Sequence, residues 1–172
     1  MNGGFGNEKP ADSEWHDWLA EHAPRFLLFA RQQARCEADA QDLVQEAVVE
    51  AWERQSNVGP PAVGLVFATI RRRAIDLARS NDSRSGREGQ VARDAPELWF
   101  DSGPEERERD RLLQEAMSRM LDIYREVVTL KVWGELTFAE IAETLNIPQN
   151  TAASRYRYGL AELRRLTREN FP

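Results

Sequence analysis

The side chains best equipped for chemistry in this 172-residue chain are guanidiniums: 21 of the 23 basic residues are arginine, the exceptions being Lys9 and Lys131. Arginine presents a planar five-donor fork that matches phosphate oxygens and base edges, which lysine does not. Two groups stand out. Arg71, Arg72, Arg73 and Arg79 are accompanied by one acid, Asp76. Arg155 and Arg157 stand among Asn150, Thr151, Ser154 and Tyr158. The first group suits phosphate contact along a nucleic-acid strand; the second offers donors and acceptors sized for the major groove. Plainer readings stand beside these. The first group would also serve as solvated charge complementing a helix C-terminus, and the second as the solvent face of an amphipathic helix. A GC-rich genome alone also favours arginine.

Acid is concentrated elsewhere. Asp42, Gln45, Glu46 and Glu50 fall outside the apolar stripe of one helix and make an outer surface that is either merely solvated or suited to an arginine-rich partner. The groups needed for catalysis are missing. His16 and His22 lie close together near the N-terminus, Cys36 is alone, and no glycine-rich phosphate loop occurs. A single cysteine builds neither an internal disulfide nor, by itself, a structural zinc site. No enzyme activity, metal or cofactor is expected.

The net charge of −6 argues against a simple basic nucleic-acid coat, yet it averages unlike segments. Residues 1–80 sum to −3, 81–110 to −4 and 111–172 to +1. No apolar run approaches the roughly 18–20 residues that span a bilayer. The first dozen residues lack the basic start and apolar core of a signal peptide. A soluble, cytoplasmic protein without membrane insertion is expected.

Helical periodicity positions these groups. Residues 15–35 read as a first helix that Pro24 interrupts or kinks. Asp39 reads as the N-cap of a second helix over 40–55, whose stripe is Leu43, Val44, Ala47, Val48, Ala51 and Trp52. After a Pro/Gly loop, a third helix over 65–80 buries Val66, Ile70, Ala74 and Leu77 and carries the first arginine group. Residues 81–110 hold glycine, proline and serine without periodicity and read as an acidic linker. Helices follow over 105–121 and 123–133, the latter closed by Gly134 as a left-handed cap. Thr137 to Glu140 forms a capping box for a short helix to Leu145, and a last helix runs over 149–168. Short helix, three-residue turn and longer basic helix have helix-turn-helix spacing. The fold class is therefore all-α: two small helical domains joined by a flexible acidic linker. The expected limits are a disordered 1–13, a first domain over 14–80, the linker over 81–109 and a second domain over 110–169. Each domain is expected to have its own core.

Five segments in order carry a resemblance. They are Asp39-Ala-Gln-Asp-Leu-Val-Gln-Glu-Ala-Val-Val-Glu-Ala-Trp52, Arg71-Arg-Arg-Ala-Ile-Asp-Leu-Ala-Arg79 and Tyr124-Arg-Glu-Val-Val-Thr-Leu130, followed by Leu136-Thr-Phe-Ala-Glu-Ile-Ala-Glu-Thr-Leu-Asn-Ile-Pro148 and Asn150-Thr-Ala-Ala-Ser-Arg-Tyr-Arg-Tyr-Gly-Leu160. Together the chain resembles bacterial sigma-70 family sigma factors of the extracytoplasmic-function (ECF) group, the reduced forms that keep domains two and four. The resemblance implies a transcription initiation factor that binds core RNA polymerase and directs it to promoters with −10 and −35 elements. It places Asp42, Gln45, Glu46 and Glu50 on the β′ clamp helices. Arg71, Arg72, Arg73 and Arg79 go to the melted −10 region, and Asn150, Thr151, Ser154, Arg155, Arg157 and Tyr158 to the −35 major groove. The β flap is a further polymerase contact, and an anti-sigma factor holds many members of the group. Leu98-Trp99-Phe100 either anchors the linker in the polymerase or forms a local hydrophobic cluster. Departures from the family pattern are Arg72 in place of a neutral amide, and Pro148 where a Ser or Thr cap is common. The competing class is a helix-turn-helix regulator that acts without being a polymerase subunit.

Overall fold

A computed structural model describes residues 10–55, 59–85, 98–101 and 103–170. Those residues form seven helices and no strand: α1 (Pro10–Arg31), α2 (Glu37–Arg54), α3 (Val63–Ser85), α4 (Arg107–Ser118), α5 (Asp122–Val132), α6 (Phe138–Leu145) and α7 (Gln149–Asn170). Residues 1–9 lie outside the described part, and α1 opens at Pro10, inside the segment expected to be disordered. Proline suits a first helical turn, where no backbone donor is needed.

Of the two effects expected at Pro24, the interruption does not occur: α1 continues through it. An interior proline costs a helix about 3 kcal/mol. Directly beyond it, Phe26, Phe29 and Ala30 are fully buried, and the two phenylalanine rings meet Phe67 edge-on at 4.9 and 5.4 Å. Each buried phenylalanine contributes about 1.5–3 kcal/mol, so packing outweighs the break.

The second helix starts one turn earlier than the sequence indicates. Its N-cap is Cys36, whose Sγ accepts from the Asp39 amide at 3.5 Å, and Asp39 lies in the first turn. Starting there brings Glu37 to Arg31, an ion pair that the expected cap would have left outside the helix. The apolar stripe holds: Leu43, Ala47 and Ala51 are buried, with Val44 and Val48 half-buried against them. Gln55 then fastens the loop to α3, its Oε1 accepting from the Ala62 amide at 2.9 Å.

In the second half, Thr137 caps α6 with both hydrogen bonds of the capping box, as its sequence requires. Asn146 closes that helix in the left-handed region, at φ 53°. The end of α5 differs from expectation: Glu135, at φ 56°, takes the left-handed conformation, not Gly134. Gly134 is needed for a different reason, since a Cβ there would lie 2.5 Å from the Leu130 carbonyl oxygen. Gly159 serves a close approach too, letting α7 settle on Tyr124 and Val128 of α5.

The two groups of helices do not have separate cores. One buried cluster runs from Phe26, Leu43, Phe67 and Ile70 through Val127, Leu130, Leu136, Ile141, Leu145 and Ala152. Polar contacts line the same junction. Thr129 Oγ1 donates to Gln32 Oε1 at 3.0 Å, Arg71 Nε to Glu126 at 2.9 Å, and Arg25 pairs with Glu135 at 3.0 Å. Residues 86–97 and 102 of the expected linker lie outside the described part. Trp99, which is described, is 8 % exposed and packs in a second cluster with Leu28 of α1 and Met117, Met120, Val128 and Leu166. Of the two readings of Leu98-Trp99-Phe100, this is the hydrophobic cluster, and it reaches across both halves.

Candidate nucleic-acid interface

The helix-turn-helix is built by the α6 cap, the turn at Asn146 and the start of α7. Pro148 offers no side-chain cap, but its carbonyl accepts from the amides of Thr151 and Ala152 at 2.9 and 3.1 Å. Ala152 and Gly159 face inward, and Tyr156 meets Phe138 edge-on at 5.6 Å. That packing turns the other side of α7 to solvent. Asn150, Arg157 and Tyr158 are exposed there, with Thr151, Ser154 and Arg155 half-exposed beside them. The Arg157 guanidinium lies over the Tyr158 ring at 5.2 Å, which presents the two as one flat surface. No ion pair to a described residue occupies Arg155 or Arg157. All six side chains expected to read DNA thus share the N-terminal half of one helix, where the macrodipole favours phosphate.

The other two groups form a single device. Across the α2–α3 groove, of about 490 Å³, Glu50 accepts from Arg73 Nε at 2.8 Å and from Arg72, while Arg73 also pairs with Glu46. Burial pushes the Glu50 carboxyl up, but its hydrogen bonds to Arg73 and Arg72 prevail and hold it below the usual carboxylate range. Asp42, Gln45 and Glu46 are exposed as expected, whereas the Glu50 side chain is 23 % exposed and turned toward α3. The four arginines are not brought together. Arg72 and Arg73 line the α2–α3 groove, Arg79 is exposed further along α3, and Arg71 points away to Glu126 on α5. Burial raises the Glu126 carboxyl above its ordinary value, against the opposing pull of Arg71.

Two contributions escaped the sequence. Val49, 52 % exposed, lies in the middle of the acidic stripe; its signal is an apolar residue seven places after Asp42 and off the buried face. Arg31 is the other. Its guanidinium makes two hydrogen bonds to Glu37 at 2.9 Å, and its Nη1 donates to the Trp99 carbonyl at 3.1 Å and Asp101 at 3.0 Å. No pattern in the sequence marks that clamp. Among the described residues no group of His, Cys, Asp or Glu is arranged to hold a metal ion, and no helix is long and apolar enough to cross a membrane.

Residues 18–84 match the Sigma-70 region 2 family, and residues 110–163 match Sigma-70, region 4. The ECF RNA polymerase sigma factor SigL of Mycobacterium tuberculosis is 30 % identical over 150 residues, spanning 84 % of this chain and 83 % of that protein. The chain belongs to the ECF sigma factors of the sigma-70 family. RNA polymerase sigma factor SigV of Bacillus subtilis is 26 % identical over 155 residues, 88 % of this chain and 90 % of SigV. Among solved structures, the sigma factor RpoE of Bartonella quintana, in complex with the anti-sigma factor NepR, superposes with a TM-score of 0.72. That match has 17 % identity and covers 91 % of this chain and 98 % of RpoE. CnrH, in complex with the cytosolic domain of CnrY, gives 0.60 at 19 % identity, over 88 % of this chain and 86 % of CnrH. These two structures share the fold. An ECF sigma factor is a non-enzymatic subunit that binds core RNA polymerase and directs it to promoter DNA. Family membership disfavours a regulator acting apart from polymerase.

Proposed function

We propose that this sigma factor reads the −35 element with α7 and the melted −10 strand with α3, while α2 docks on the β′ clamp helices. Asn150, Thr151, Ser154, Arg155, Arg157 and Tyr158 are the major-groove set. Arg72, Arg73 and Arg79 hold the displaced strand, and Arg71 joins them only once it leaves Glu126. Asp42, Gln45 and Glu46 make the docking stripe, with Val49 as its apolar centre. Glu50 moves from that stripe to a positioning role behind Arg72 and Arg73. The functional units are 14–80 and 110–169, with 81–109 between them. The β flap completes the polymerase contact, an anti-sigma protein is the inhibitory partner, and the cytoplasm is the site of action.

The observation that carries this reading is the division of charge between helices. A free guanidinium face on α7 suits duplex DNA. The α2 stripe, acid around one exposed valine, suits a basic protein surface with an apolar centre. Run-off transcription on sheared genomic DNA, with core polymerase and with or without this protein, tests it. New, discrete transcripts that depend on the protein are expected. Tight sequence-specific DNA binding without core, and no added transcript with core, would overturn it.

A further inference from the structure

We propose that the second half of α7 carries a phosphate rail: Arg164, Arg165 and Arg168 hold the duplex backbone flanking the −35 element, by charge and without reading sequence. This rests on the promoter reading above and extends it to residues that have no part in it so far.

The reading face does not end at Tyr158. At about 100° per residue, Arg164, Arg165 and Arg168 lie within about 60° of the mean direction of Asn150 and Ser154. All three are exposed, as is Ala161 between the two sets. No ion pair to a described residue occupies Arg164 or Arg168. The opposite side of the same turns is anchored, because Leu166 is 2 % exposed and packs with Leu160 and Leu163 against Met117 and Met120. That packing fixes the direction in which the arginines point. The only acid from Gly159 to Arg168 is Glu162, which is half-buried and about 100° away from the face. All three arginines lie beyond residue 163, where the match to Sigma-70, region 4 ends.

Helix rise decides what these side chains meet. From Asn150 to Tyr158 the helix rises about 12 Å, and the major groove of B-form DNA is about 12 Å wide. A helix whose first half lies among base edges therefore passes the groove wall in the turns that follow. Arg164 and Arg168 stand about 9 and 15 Å beyond Tyr158 along the axis, where that wall is sugar and phosphate. Ala161 leaves no bulk to hold the helix off at the crossing. Guanidiniums meet phosphate oxygens with two parallel N–H donors. Such contacts fix register and orientation and carry no sequence information. A chain of net charge −6 needs a local source of attraction to DNA, and this stripe supplies one.

Salt dependence tests the rail. Each phosphate contact contributes about 0.9 to the slope of log affinity against log salt on duplex DNA. Arg164→Gln with Arg168→Gln removes two charges with residues that favour a helix. Holoenzyme of core polymerase and full-length protein is titrated on a promoter fragment found by run-off transcription, between about 50 and 200 mM salt. Across that range the wild-type affinity should fall about twelve-fold further than the variant's. The affinity ratio between fragments with intact and mutated −35 elements should stay unchanged, and Arg164→Lys with Arg168→Lys should restore the slope. An unchanged slope overturns the rail, even where transcription falls, which would mark an acidic protein as the partner. Collapse of the −35 ratio also overturns it, by making these residues base readers. If a thermal melt shows the double variant unfolded, each single glutamine variant should lower the slope by about 0.9, and no change in either overturns the rail. Absence of any −35 preference in the wild type counts against the promoter reading, and the same slopes on a random-sequence duplex still test the rail.

Discussion

Arg73 Nε lies 2.8 Å from a Glu50 oxygen, and the same carboxylate receives Arg72, so one acid of α2 sets the direction of two arginines of α3. The α2 face proposed for docking and the α3 face proposed for strand binding are thereby joined through a half-buried ion pair. Glu50→Ala should weaken open-complex formation several-fold while leaving polymerase pull-down near wild type, and Glu50→Gln should recover part of the loss. The stability cost should be about 1 kcal/mol, because the arginines remain solvent-accessible. Glu46→Ala should do the reverse, weakening polymerase binding several-fold by about 1 kcal/mol or less. Equal pull-down by the two variants would return Glu50 to the docking set.

Arg155→Ala should remove about 1–3 kcal/mol of discrimination at one position of the −35 element. Transcription from a promoter with a mutated −35 should then differ less from the wild-type promoter. Arg157→Ala should weaken binding more evenly across sequences and also free Tyr158, whose ring it covers. Competition among a set of −35 variants separates the two effects.

Thr137→Ala removes the side-chain half of the α6 capping box, leaves the Glu140 carboxylate on the backbone amide of residue 137, and should cost about 1 kcal/mol, or a fall in Tm of roughly 2–4 °C. Loss of the cap frays the helix that supports the α7 reading face, so binding to −35 DNA should weaken with stability. A thermal melt and a promoter-binding titration of the holoenzyme check both.

Acid acts in two directions. Glu37 is held below its ordinary value by its hydrogen bonds to Arg31, Glu50 by Arg73 and Arg72 despite its burial, and Glu140 by the Thr137 amide and hydroxyl. A lowered carboxyl contributes stability above its unfolded-state value and loses it as pH falls through the folded one. Glu126 is raised by burial, so its contribution is present at low pH and lost as pH rises through its raised value. Glu126→Gln keeps an oxygen for Arg71 and removes that loss. Its Tm should match or exceed wild type at pH 7.5, with the difference closing toward pH 4; a lower Tm at pH 7.5 would mean that the charge pair outweighs burial.

Much of this molecule is legible in its sequence because it is local. Helix periodicity, the Thr137 to Glu140 box and the polar face of α7 are set by residues within a few positions of each other, and each stands where the spacing puts it. The N-cap at Cys36 is less legible, because a thiol is a weak acceptor and Asp39 is the stronger capping type. The left-handed residue after α5 is Glu135 and not Gly134, whose lack of a Cβ serves the close approach to the Leu130 carbonyl instead. What the sequence does not reveal is the junction between the halves. Arg71 and Glu126, or Arg31 and Trp99, are remote in sequence, and one-residue patterns contain nothing that pairs them.

A core shared between the two halves also makes the response depend on abundance. A partner that needs the halves apart has its affinity multiplied by the fraction of molecules in which that core is open. An open fraction of one in a hundred corresponds to about 2.7 kcal/mol and weakens every such affinity a hundred-fold. The penalty falls alike on polymerase and on stray DNA. Occupancy then stays proportional to copy number over a range about a hundred-fold wider before it saturates. Whatever lowers the closing energy, such as loss of the Arg31 clamp, moves that saturation point to lower copy number without altering a single promoter contact.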